Sequence, residues 1–172
     1  MAIAVGGIRY LSYTSAASTS EAQGTNPWTN PANIRTANSS DATASFTGSP
    51  PLSRAMTLTL SAGGTGRDGL ASIPTAAKIV SITISAVWAA NGVTSPAGCS
   101  AALYSSSAAL LGTLSCGIEG TDAQEDFVIA GGSLTGADLN TATIVLNASD
   151  SGNGDACGVT ADCVWVDVVW RL

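Results

Sequence analysis

From residue 54 onward the large apolar residues of this chain recur at every second position. Met56, Leu58 and Leu60 alternate with Thr57 and Thr59, and Val80, Ile82, Ile84, Ala86 and Trp88 alternate with Ser81, Thr83, Ser85 and Val87. Near the C-terminus Val164, Val166, Val168, Trp170 and Leu172 form one side, and Cys163, Trp165, Asp167, Val169 and Arg171 form the other. A period of two sends neighbouring side chains to opposite faces of a pleated strand, so these segments read as half-buried strands. Phe127 to Ala130 and Thr143 to Asn147 are shorter runs of the same kind. No window carries a sustained 3.6-residue stripe; Ile73 to Val80 comes nearest, and Pro74 breaks it. About eight short strands separated by Gly, Ser, Asn and Pro loops predict an all-β fold, an antiparallel β-sandwich of jelly-roll type.

Charge narrows the function. The 172 residues are 45% apolar and only 10% charged, with a formal net charge of −6. After Lys78 nine acidic residues face one base, Arg171. Such a surface repels nucleic acid and anionic lipid, because no cluster of Lys and Arg exists to displace counterions from phosphates. The acidic half reads as a solvated face, or as one that pairs with a basic neighbour. No apolar run reaches the roughly 18–20 residues that span a bilayer. Met1 to Gly7 lacks a basic flank, and Arg9 interrupts it early, so a secretory signal is not expected and synthesis is cytoplasmic.

The first 26 residues differ from the rest. Ile8 to Tyr13 suits one strand, and the Thr/Ser/Ala tract behind it has little to bury. The expected organisation is an extended N-terminal arm, 1–26, ahead of a sandwich domain, 27–172. Ile8, Tyr10, Leu11 and Tyr13 give the arm an apolar head that suits docking onto a neighbour's sheet edge. Asn26-Pro27-Trp28-Thr29-Asn30-Pro31 and Ser49-Pro50-Pro51 then exclude helix.

Four cysteines, Cys99, Cys116, Cys157 and Cys163, lack the paired C-x-x-C spacing of a zinc site. Ser100–Tyr104 and Leu110–Ser115 flank a serine-rich turn, a hairpin that would set Cys99 opposite Cys116. Cys157 and Cys163 would close the loop before the last strand. Two disulfides are thus one reading, and buried thiols packed as small hydrophobes are the other.

Groups suited to catalysis are sparse. There is no histidine to activate a serine or bind a metal, and Lys78 has no serine at a telling spacing. Glu125 and Asp126 are adjacent, so on a strand they point apart and make a poor acid–base pair. The loop Asp150 to Asp155 is rich in oxygen but breaks the EF-hand pattern at Gly152 and Gly154, and reads as a surface turn. No cofactor, metal or catalytic residue is expected. Trp88 and Trp170 fall on the core side of the alternation, whereas Trp165 shares a face with Asp167 and Arg171. It is the candidate exposed aromatic, able to stack on sugar or protein.

Trp28-Thr29-Asn30-Pro31-Ala32-Asn33-Ile34 with Ser40-Asp41-Ala42, Ile73-Pro74 running into Ala77-Lys78-Ile79, Gly131-Gly132, Asp138-Leu139-Asn140 and the final Asp162-x-Val164-x-Val166-x-Val168-x-Trp170 follow one another in a telling order. Together they resemble a β-sandwich domain of tailed-bacteriophage virion structural proteins of the minor tail, fibre or head-accessory type. The likeness covers residues 27–172, and Asn140 stands where the family carries a Trp-Gly. It implies a non-enzymatic virion protein present in multiple copies, with a minor tail or tail-tip role ahead of capsid decoration. Its expected partners are other virion proteins through the arm, further copies of itself, and a host-surface glycan or protein. The rival class is a free carbohydrate-binding module, for which a row of exposed aromatics is expected and Trp165 alone qualifies.

Overall fold

The computed structural model describes residues 11–23, 27–35, 38–48, 53–60, 73–92, 98–117, 120–150 and 154–172. Nine strands account for most of these: β1 Leu11–Gln23, β2 Ala42–Gly48, β3 Ser53–Leu60, β4 Lys78–Gly92, β5 Gly98–Tyr104, β6 Leu110–Ser115, β7 Ala123–Ala130, β8 Thr143–Ser149 and β9 Gly154–Arg171. All pairings are antiparallel. One sheet runs β2-β9-β4-β7 and the other β3-β8-β5-β6. That interleaving of early and late strands is the jelly-roll order expected from the alternation.

The sandwich interior is made by the residues the period-two pattern singles out. Met56, Leu58, Leu60, Ile82, Ile84, Ala86, Trp88, Val164, Val166 and Val168 are all fully buried, as are Ile144 and Leu146 between them. Phase slips explain the exceptions. Around Val80 the β4–β9 register shifts, so Ile79 turns inward and Val80 is 43% exposed instead of joining the core. Trp170 is only half-buried at the end of its strand, packed against the core and not enclosed by it. A second shift lies at Asp162: Cys157, Val159 and Ala161 belong to the inner set before it, and Val164, Val166 and Val168 after it.

One end of the sandwich is plugged as its composition suggests. A 3₁₀ turn at Pro31–Ile34 packs on β9 and β2, burying Ile34, and Trp28 is buried beside it. Arg54 ties this segment to both sheets. Its guanidinium donates to the carbonyls of Pro27 at 2.6 Å and Ser45 at 2.9 Å, and lies 5.5 Å over the Phe46 ring.

Strand β1 corrects the domain reading over residues 11–23. Leu11 to Ala17 pair with β9 alongside Ala17↔Trp165 through Leu11↔Arg171, and Ser18 to Gln23 then pair with β3. The segment read as a reaching arm is therefore a strand of this sandwich, stitching one sheet to the other. Its backbone hydrogen-bonding groups are satisfied within the chain, which supplies what a core of large side chains does not. Leu11 and Tyr13 stand in that strand, while Ile8 and Tyr10 lie outside the described residues.

The second cysteine pairing is corrected too. Cys157 and Cys163 are not at the ends of a loop; both belong to the continuous strand β9, six residues and about 20 Å apart at strand rise. The slip at Asp162 also sets them on opposite faces. A disulfide needs Cα atoms within about 7 Å, so this one cannot form. Cys99 and Cys116, in contrast, are direct partners across the hairpin, with the Cys116 N–H donating to the Cys99 carbonyl at 2.9 Å. All four sulfurs are thiols here, and burial pushes the Cys99 thiol far above its usual range. Mass mapping after mild oxidation should thus yield a Cys99–Cys116 linked peptide and no Cys157–Cys163 peptide; the reverse pattern would refute the strand assignment.

Candidate functional site

The outer face of the β2-β9-β4-β7 sheet gathers the polar and aromatic residues that the alternation turns away from the core. Three rows cross it at matched register. Val128, Thr83 and Asp167 form one; Asp126, Ser85 and Trp165 the next; Gln124, Val87 and Cys163 the third. Their chain neighbours Ile82, Ile84, Ala86, Val164, Val166 and Val168 are buried inside, which sets the direction of the rows.

Local bonds fix this face. The Trp165 indole N–H donates to Asp167 at 3.1 Å, two positions along the same strand. The Gln124 amide donates to both carboxylate oxygens of Asp126, at 3.1 and 3.3 Å. Trp165 and Asp167 are half-buried, Gln124 and Asp126 are exposed, and Val128 at the edge is 65% exposed. Ser85 is the anomaly: it belongs to the outward set yet is only 2% exposed. Trp165 lies on the face opposite the core, as its parity in the alternation requires, but it is half-buried where an exposed ring was expected. The partners Asp126 and Gln124 escaped sequence reasoning, because only the strand order brings β7 beside β4 and β9. The spacing of Gln124 with Asp126, and of Trp165 with Asp167, was the available signal.

The carboxylates elsewhere hold the fold together. Glu125 points away from Asp126, as adjacent strand residues must. It accepts the Trp88 indole N–H at 2.5 Å and the Gly117 N–H at 3.0 Å, linking the core of one sheet to the end of β6 in the other. Asp138 accepts the N–H and hydroxyl of Thr135, at 2.8 and 2.9 Å, and these bonds hold its carboxyl below the usual range. Asp150 accepts from the Cys157 thiol at 3.5 Å; residues 151–153 of the oxygen-rich loop lie outside the described residues. No group of three His, Cys, Asp or Glu able to hold a metal occurs among the described residues. No helix there is long and apolar enough to cross a membrane.

Three acids meet beyond the end of the rows. Asp162 is buried and accepts the Asn38 N–H at 3.1 Å, and Asp122 accepts from the Thr160 hydroxyl at 2.7 Å. Asp41 is held above the usual carboxylate range by burial, then by the charge of Asp122 and a hydrogen bond to it, then by Asp162. A raised folded-state pKa means the fold prefers the protonated acid, so stability is fully present below the unfolded value and falls as pH rises through the folded one. Asp41→Asn should therefore raise the melting temperature at pH 7 and leave it unchanged at pH 3. Equal shifts at both pH values, in thermal melts, would show that charge is not the cause.

No protein-family model matches the chain, and no curated protein matches it in sequence. Solved structures do resemble it. TmCBM61 in complex with β-1,4-galactotriose aligns at 8% identity and a TM-score of 0.45, over 97% of this chain and 92% of that one. The enzymatically active domain of tailspike protein 4 from bacteriophage CBA120 aligns at 9% identity and 0.46, over 94% of this chain and 20% of that one. Broad bean stain virus contributes a third, at 16% identity and 0.32, over 77% of this chain and 84% of that one. The likeness is one of β-sandwich architecture and carries nothing further.

Proposed function

We propose that this chain is a non-enzymatic structural protein of a bacteriophage virion, a minor tail or tail-tip component displayed in several copies. Capsid decoration is the alternative placement. The observation that carries the reading is the role of the residues behind the resemblance. Trp28 and Ile34 plug the sandwich, Gly131 lets β4 pass within contact of the chain, Asp138 caps a turn, and Leu139 is fully buried. Each shapes a compact module. Glu125, Asp138 and Asp162 likewise serve the fold, accepting from Trp88 and Gly117, from Thr135 and from Asn38. Attachment to other virion proteins is assigned to residues 1–10, which precede β1 and include Ile8 and Tyr10. Quantitative mass spectrometry of gradient-purified particles should find the chain co-sedimenting at several copies per genome. Its absence from particles that carry the other structural proteins would overturn the proposal.

A further inference from the structure

We infer that the outer face built by Trp165, Asp167, Asp126 and Gln124 is a stacking platform for an uncharged glycan. The buried Ser85 is the starting point. It lies on the outward row between Asp126 and Trp165, yet solvent hardly reaches it, so its neighbours lie across it. Trp165 is its direct cross-strand partner and carries the only ring in these rows among the described residues. With its N–H held by Asp167 two positions along β9, the half-buried indole is fixed on this outer face, beside Ser85 across the strand pair. That is the surface on which the apolar face of a pyranose packs.

The rim supplies the second half of sugar recognition. Asp126 and Trp165 are separated by two strand spacings, about 10 Å, which one or two sugar rings bridge. Asp167 offers a carboxylate oxygen other than the one Trp165 uses, the Asp126 oxygens bound by Gln124 keep further lone pairs, and the Gln124 amide offers a carbonyl and a donor. Hydroxyl groups complement both. Charge decides among glycans. Asp126 and Asp167 outweigh the one cation in register with these rows, Arg35, which bridges Cys163 at the end of the third; Lys78 and Arg171 pair with each other at the far end of the strands, beyond Ser81 and Val169. Sulfated and uronic-acid chains are therefore repelled, and uncharged hexose or pentose chains are favoured.

This inference stands on the face alone and is independent of a place on a virion. The test uses the full chain against immobilised gluco-, galacto-, xylo- and manno-oligosaccharides, with dextran sulfate and oligogalacturonate as charged counterparts, followed by calorimetry on the best binder. At least one uncharged oligosaccharide should bind at millimolar concentration or below, and the charged ones should not. Trp165→Ala should weaken that binding at least about tenfold, Trp165→Phe should restore part of it, and the exposed Asp126→Ala should weaken it without changing the melting temperature. No binding by any uncharged oligosaccharide, preference for the charged ones, or affinity untouched by both Trp165→Ala and Asp126→Ala would each overturn the inference. None of these failures bears on whether the chain is found in particles.

Discussion

Gly131→Ala is expected to prevent this chain from folding, whereas the same change one residue later is expected to be tolerated. A Cβ on Gly131 would lie 2.0 Å from the Ile79 carbonyl oxygen and 2.4 Å from its carbon. Those are backbone atoms at the start of β4, and the Gly131 N–H already donates to the Val80 carbonyl at 2.9 Å. Neither side can rotate away, so relief requires pulling β7 from β4. The expected loss exceeds about 4 kcal/mol, the range reserved for changes that break a packed fold. Gly132 has a φ of 56° but open space around its Cα. Alanine there meets only the left-handed penalty, about 1–2 kcal/mol. Denaturant melts of the two variants separate these cases. A Gly131→Ala protein as stable as Gly132→Ala would mean that the two backbones do not approach as described.

The second large effect is expected from removing residues 1–23. The reference for this test is a chain cut only through Tyr10, which keeps all of β1. Extending the cut through Gln23 removes β1, and with it the ladder along Trp165–Arg171 of β9 and the ladder along Met56–Leu60 of β3. Both strands then present unpaired N–H and C=O groups over apolar inner faces, which is the configuration that promotes edge-to-edge association. The longer deletion should be recovered as aggregate, or should lose its cooperative melt. A soluble monomer melting as the reference does would show that β1 is dispensable and that residues 1–26 form a separable arm after all.

The difference between the arm read from sequence and the strand found in the fold has a physical cause. Met56, Leu58 and Leu60 announce themselves because their own side chains are buried by alternation. The Ser/Thr/Ala run of β1 carries no such signal, and its place is set by backbone pairing with β9 and β3, which are distant in sequence. The phase slip at Asp162 hid the first half of β9 in the same way. Cys157, Val159 and Ala161 alternate correctly, but out of step with Val164 to Val168, so the strand was read as beginning at Cys163. The hairpin of β5 and β6 was legible because its partners are close in sequence, and that locality made Cys99 opposite Cys116 readable while Cys157 with Cys163 failed. For the candidate face, the outward direction of Trp165 followed from parity. Asp126 and Gln124 as its company did not, since no local pattern states that β7 lies beyond β4.

The most direct test of the structural role is the position of the chain in intact particles. Particles carrying a copy with a gold-binding tag at the C-terminus, beside the exposed Leu172, can be imaged by cryo-electron microscopy. Gold at the tail or tail tip, repeated at fixed spacing from particle to particle, is the predicted result. Particles that assemble normally, carry no gold at any site and leave the tagged chain free in the lysate would contradict the account.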